Sequence, residues 1–213
     1  MADTYKNVAA CYDRLFEKFN KGLWEIGLSL HPPRKNMRVL DIGCGTGAHL
    51  RLYQKAGCNV FGIDMSPSML RQARNRLGPS GRLCSANAAE APLAKHAFDL
   101  ILISFVLHEM PETLRLDVVA ESKNLLKKEG RLVMVDYHPG PIRGAKGWCI
   151  KLFILLVELA AGIKHFCNHL NFLSNKGLPA ILSKHDLSVE KVKIVSGGNL
   201  AVVLAQPGSD VEQ

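Results

Sequence analysis

The chain has 213 residues, 47% hydrophobic and 22% charged. That balance excludes a disordered polypeptide and gives one domain enough apolar material for a sizeable core. The formal net charge of +8 admits anionic partners, but the basic residues form no dense tract and accompany no nucleic-acid-binding module, so no nucleic-acid partner is expected.

The first residues, to about His31, read as helical, with Tyr12, Leu15, Phe16 and Phe19 at helical spacing and Leu23, Trp24 and Leu28 continuing it. The start, MADTYKNVAACYDRLF, has no apolar signal stretch. The six cysteines form no C-x-x-C pair and no metal-type Cys/His spacing, so reduced thiols in the cytoplasm are expected and no metal site is. His31-Pro32-Pro33 stops the helix.

A regular alternation follows. Arg38 to Ile42 is a short apolar strand, then come a glycine loop and a helix of about ten residues. Asn59 to Ile63 is a second strand, and Ser66-Pro67 opens a capped helix carrying Arg71, Arg74 and Arg76. Gly81 to Ser85 is a third strand. Phe98 to Ser104 (FDLILIS) is a fourth, with the continuous apolar run of a strand buried on both faces. Glu112 to Lys128 reads as a helix ending in Lys123, Lys127 and Lys128 and closed by Gly130, and Arg131 to Tyr137 as the fifth strand. Strands alternating with helices predict an α/β fold on a parallel sheet with right-handed crossovers.

Beyond Pro141 the pattern changes. Trp148 to Ile163 (WCIKLFILLVELAAGI) is strongly apolar, and helix continues to about Leu173. Leu178 to Lys184 is a short helix. Ser188 to Val195 and Asn199 to Gln206 form a hairpin across Ser196-Gly197-Gly198. Residues 1–207 are therefore expected to form a single domain, with 1–31 as an N-terminal helical segment, 141–175 as a helical insertion and 208–213 as a loose tail.

The chemistry concentrates in VLDIGCGTGAHL, Val39 to Leu50. A strand runs into Asp41, glycines fall at 43, 45 and 47, and a helix begins. Asp64 ends the next strand, where an acidic side chain can accept bonds from two ribose hydroxyls. The pattern D-x-G-x-G-x-G differs from the G-x-G-x-x-G of a dinucleotide phosphate loop. Asp41 would repel a pyrophosphate, but it suits a ligand carrying an ammonium and a sulfonium.

With these residues the sequence resembles the class I S-adenosylmethionine (SAM)-dependent methyltransferases. The resemblance runs from about Tyr12 to Gln206 and is sharpest from Val39 to Tyr137. It implies a Rossmann-like three-layer sandwich with a seven-stranded sheet of order 3-2-1-4-5-7-6 and strand seven antiparallel. It also implies that Asp41, Gly43, Cys44, Gly45 and Gly47 hold the methionine part of SAM, that Asp64 holds the ribose and that Met65 packs on the adenine. Asn87 and Ala88, in SANAAEAPL, stand where the family contacts the adenine edge, and Ser104 where it often contacts the methionine moiety. Tyr12-Asp13 matches a pair that in related enzymes sits on a helical lid over the cofactor, and residues 141–175 occupy the place of a substrate cap.

Methyl transfer requires alignment of nucleophile, methyl and sulfur and exclusion of water, and a base where the nucleophile carries a proton. His108, in FVLHEMPE after strand four, is the candidate base; Tyr137 and His138, after strand five, are candidates for substrate contact. His165 and His169 lie four apart on a helix and share a face, but no Glu-rich motif accompanies them.

The 16-residue apolar segment is short for a membrane span and contains Lys151 and Glu158, seven apart on one stripe. Such a helix lies in a core, at a dimer interface or against something greasy. HFCNHLNFLSNKGLPAIL loosely resembles the quinone C-methyltransferase branch. Arg143, Lys146, Lys151 and Lys164 flank the segment and suit anionic headgroups. The expected function is SAM-dependent methylation of a small-molecule acceptor, quinone-type or phospholipid-type, by a cytoplasmic monomer or homodimer with peripheral membrane contact. A SAM-binding module without catalysis and a nucleic-acid methyltransferase are the alternatives.

Overall fold

Seven strands in the order β3-β2-β1-β4-β5-β7-β6 form one sheet. The computed structural model describes residues 9–208, with side chains from residue 20 onward. The side chain of Tyr12, Asp13 beside it and the tail beyond residue 208 therefore lie outside the described residues. Helix α1 (Ala9–Leu30) leads into β1 (Arg38–Ile42), α2 (Ala48–Lys55), β2 (Asn59–Asp64), α3 (Pro67–Leu77), β3 (Arg82–Ser85) and β4 (Phe98–Ser104). Then come α4 (Glu112–Leu125), β5 (Leu126–Tyr137), α5 (Gly144–Ala160), α6 (Ile163–Ser174), α7 (Gly177–Lys184), β6 (Leu187–Val195) and β7 (Leu200–Pro207).

The central strands β1, β2, β4 and β5 pair in parallel and are buried on both faces, as their near-continuous apolar runs require. Two clusters of buried side chains, one on each side of the sheet, make the core: Ile42, Ile101 and Met134 on one face, Val39, Leu102 and Val133 on the other. The short turn at Ser196–Gly198 permits only antiparallel pairing of β6 with β7. β7 then enters between β5 and β6, antiparallel to both, so fold and strand order agree with those implied by the resemblance. Helix α3 begins as predicted, with Ser66 Oγ accepting the Met69 amide at 3.2 Å and Pro67 in the first turn.

One boundary differs. α4 stops at Leu125, and residues 126–130 already belong to β5. Leu126 pairs with Phe98 across the sheet, and Lys127 reaches Asp99 Oδ1 at 2.7 Å. Gly130 is not a helix cap; it sits at an irregularity in β4–β5 pairing where a Cβ would come within 2.9 Å of the Phe98 carbonyl. Burial of Leu125 and Leu126 outweighs the helical propensity of the Lys-Lys-Glu run.

Candidate active site

The direction in which strands are added reverses between β1 and β4: β2 and β3 extend the sheet one way from β1, and the chain returns to build β4 on its other side. Ligand crevices in open α/β sheets lie at such a point, outside the carboxyl ends of the strands. A crevice of about 330 Å³ opens here. The loop after β1 forms one wall, and its amides at Gly43 and Cys44 donate to the Ile63 carbonyl of β2 at 2.8 and 3.0 Å. Gly43 has φ +68°, and a Cβ there would lie 2.4 Å from Val106 Cγ2, so only glycine brings the loop this close to the chain after β4.

Asp41, Gly43, Cys44 and Gly45 line the crevice, as do Asp64 and Met65 at the end of β2. Asn87, Ala88 and Ser104 line it from the other strand ends. Gly47 does not line it. At φ +74° it caps the start of α2 and packs on Ala73 of α3, so its part in the loop is to set the turn. Two carboxylates share the crevice. Asp64 Oδ2 accepts the Gly45 amide and Oδ1 the Ser66 amide, each at 2.8 Å. Asp41 is almost fully buried, and burial together with the nearby Asp64 charge holds its pKa well above the usual carboxylate range. A bound cation would relieve that penalty, so the crevice suits a ligand with positive charge.

Asn20 and Trp24 of α1 also line the crevice. Trp24 stacks on His49 of α2 with ring centroids 5.1 Å apart, and His49 Nδ1 lies 3.3 Å from Ser104 Oγ. Burial pulls the His49 pKa down to about 3, so the ring is neutral and uncharged beside the loop. Asn87 Oδ1 already accepts the Ala89 amide at 3.2 Å, which orients its side chain.

The methyltransferase-domain family profile matches residues 40–134, which cover the end of β1, the crevice-forming loop, strands β2, β3 and β4 and most of β5. This part of the chain is a methyltransferase domain, and the fold is the one that SAM-dependent methyltransferases share. Its cofactor is S-adenosylmethionine, and the cationic ligand that Asp41 and Asp64 favour fits that sulfonium.

The methyltransferase is similar to the ubiquinone/menaquinone biosynthesis C-methyltransferase UbiE of Bordetella avium, 31% identical over 160 residues, which cover 70% of this chain and 62% of that protein. It is 35% identical over 100 residues to the malonyl-[acyl-carrier protein] O-methyltransferase of Pectobacterium atrosepticum, covering 47% of this chain and 39% of that one. The match spans about half the length of several such curated relatives. A SAM-dependent methyltransferase structure from Aquifex aeolicus superposes with a TM-score of 0.59 at 22% identity, covering 85% of this chain and 88% of that one, and so shares the fold.

His108, Tyr137 and His138 lie outside the lining of the methyltransferase crevice. His108, in a short turn after β4, is buried, with Nδ1 2.7 Å from Asp136 Oδ1. Burial lowers its pKa, but the Asp136 carboxylate more than compensates and the net shift is upward. Tyr137 donates its hydroxyl to Glu158 Oε1 at 2.6 Å. His138 Nδ1 accepts the Gly140 amide at 3.1 Å, and its own backbone amide donates to the Asn199 carbonyl at 2.8 Å, bracing the turn into α5 against the hairpin. The residue next to His108, Glu109, lines the crevice instead, with Phe105, Val106, Met110 and Leu114. The same FVLHEMPE motif that singled out His108 contains Glu109; only the direction of the turn distinguishes them.

Helix α5 is inverted. Its buried stripe is Gly147, Ile154 and Glu158, with Lys151 half-buried on the same side. The apolar faces point outward: Trp148, Leu152, Phe153, Leu156 and Leu159 are all more than half exposed. The charged stripe read from the sequence is thus the inward one. No residue of α5 or α6 lines the crevice. Among the described residues no helix is long and apolar enough to cross a membrane.

Proposed function

We propose that this chain transfers a methyl group from SAM to a small apolar or amphipathic acceptor, with quinol rings and phospholipid amines as the acceptor chemistries to test first. The observation that carries the reading is the pair of carboxylates, Asp41 and Asp64, at a glycine loop over the sheet's switch point. Asp41, Gly43, Cys44 and Gly45 hold the methionine end of the cofactor, with Ser104 beside it and Gly47 fixing the loop. Asp64 takes the ribose hydroxyls, Met65 covers the adenine, and Asn87 and Ala88 meet its polar edge.

When bound, SAM supplies its methyl on a sulfonium whose departure leaves a neutral thioether, so no acid is needed. The chain's own task is to orient the acceptor and exclude water. Phe105, Val106, Met110 and Leu114 form an apolar wall for the acceptor, and Glu109 is the titratable side chain among them. Glu109 receives the acceptor's proton where there is one, and His108 and Tyr137 act behind that wall rather than on the acceptor. Like the quinone-modifying relative, the chain takes a lipid-soluble substrate. The outward apolar face of α5, flanked by exposed Arg143, Lys146 and Lys164, supports a peripheral seat on an anionic membrane from which such a substrate is drawn.

Calorimetry with SAM and S-adenosylhomocysteine tests the cofactor half of the proposal, and transfer of labelled methyl to quinols or phospholipid vesicles tests the acceptor half. Binding of both nucleosides and label in the lipid extract are expected. Binding without transfer to any acceptor would favour a SAM-binding module without catalysis; no binding of either nucleoside would overturn the reading.

A further inference from the structure

Outside the crevice, a buried group of imidazoles and carboxylates gathers from four parts of the fold. His108 comes from the turn after β4, Asp136 and Tyr137 from β5, Glu158 from α5, and His165 and His169 from α6. One ligating atom from each of His108, Glu158 and His165 lies within 4.8 Å of the others. His108 Nε2 is 3.7 Å from Glu158 Oε1, and His165 Nδ1 is 2.8 Å from Glu158 Oε2. We propose that these three side chains bind a divalent transition-metal ion of the zinc type.

The spacing suits such an ion. Metal–ligand distances of about 2.0–2.2 Å in a tetrahedron set neighbouring donors roughly 3.4 Å apart, between the two separations seen here. The outer partners suit it as well. Histidine ligands to metals characteristically give their second ring nitrogen to a carboxylate, which fixes the tautomer and leaves the first nitrogen free to coordinate. Both imidazoles have that arrangement. His108 Nδ1 meets Asp136 at 2.7 Å while its Nε2 faces Glu158. His165 Nε2 meets Glu109 at 3.2 Å while its Nδ1 faces Glu158.

His169 is an independent pointer. It is fully buried, and neither ring nitrogen has a hydrogen-bond partner. A buried imidazole left this way marks a polar pocket beside the three side chains whose donors are not all satisfied. It sits one helical turn from His165, with its ring 5.9 Å from that of His108 and 4.6 Å from that of Tyr137. The nitrogen-and-oxygen donor set favours zinc-type ions over calcium or magnesium, which take oxygen ligands. The ion would take the place of the proton between His165 and Glu158, so binding would release protons. Its outer partner Glu109 lines the crevice, which ties occupancy of the metal site to the wall beside the bound cofactor.

The test uses the full chain, stripped with a chelator, titrated with Zn²⁺ against a colorimetric competitor and with Co²⁺ by absorption. One equivalent bound, and Co²⁺ bands free of thiolate charge transfer, are expected. His165→Ala, at a partly exposed position, should weaken Zn²⁺ binding by roughly 100-fold, and Asp136→Asn by roughly 10- to 100-fold. Three results would overturn the proposal: no stoichiometric metal on protein that still binds SAM by calorimetry, thiolate bands that put the ion on cysteines, or unchanged affinity in His165→Ala. The wild-type spectrum and stoichiometry decide the matter if the variants fail to fold. SAM calorimetry on the same sample separates this question from that of the methyltransferase site.

Discussion

Asp64 Oδ2 accepts the Gly45 amide at 2.8 Å, linking the end of β2 to the glycine loop 19 residues earlier. With Oδ1 on the Ser66 amide, one carboxylate sets both the loop and the start of α3. Asp64 also lines the crevice. Asp64→Ala should weaken SAM binding at least roughly 10-fold, which is about 1.4 kcal/mol, and lower stability by about 1–3 kcal/mol through the amides left without their acceptor. Calorimetry and urea unfolding check the two effects. An unchanged affinity would rule out Asp64 as the ribose ligand.

His108 and Asp136 are both buried and 2.7 Å apart, so removing one leaves the other uncompensated. His108→Ala should destabilise the chain by about 3–5 kcal/mol. Loss of turnover should follow loss of folded protein. A fall in turnover at full occupancy of folded protein, measured by urea unfolding beside initial rates, would return His108 to direct contact with the acceptor.

His49 provides a pH signature. Its pKa falls from an unfolded value of 6.5 to about 3 on folding, because burial penalises the charged ring. Between those values the unfolded chain binds a proton that the folded chain does not, so stability falls as pH drops below 6.5 and this loss levels off near 3. The slope from this one group is about 1.4 kcal/mol per pH unit. His49→Gln should flatten the pH dependence across that window in guanidinium titrations. Parallel curves for the two proteins would show that His49 does not charge on unfolding.

The outward face of α5 makes a separate claim. Phe153, 64% exposed, has little packing to lose, so Phe153→Asp should leave folding stability within about 0.5 kcal/mol. It should sharply reduce flotation with anionic vesicles. Equal flotation of the two proteins, or none by the wild type, would remove the membrane from the proposal.

The positions of the strands, the crevice loop and Asp64 were legible because they rest on local patterns, whereas the order of the strands in the sheet came from the family resemblance. Apolar runs such as FDLILIS report burial on both faces, and the spacing of Asp41, three glycines and Asp64 spans one strand–helix–strand unit. The end of α4 was not legible. Lys127 and Lys128 have good helical propensity, and only the pairing of Leu126 with Phe98 draws them into β5.

The linear chain by itself determined the strands and the glycine loop after β1, since each depends on residues a few positions apart. The tertiary structure alone decided which side chains face the crevice. A turn after β4 puts Glu109 on the crevice wall and His108 among Asp136, Glu158 and the α6 histidines, more than 25 residues away along the chain. It also decided which side of α5 is interior. Lys151 and Glu158 form a stripe that in isolation reads as solvated, but Glu158 has Tyr137 and His165 as partners. A carboxylate so partnered can be buried, and the apolar faces of the helix are left outside.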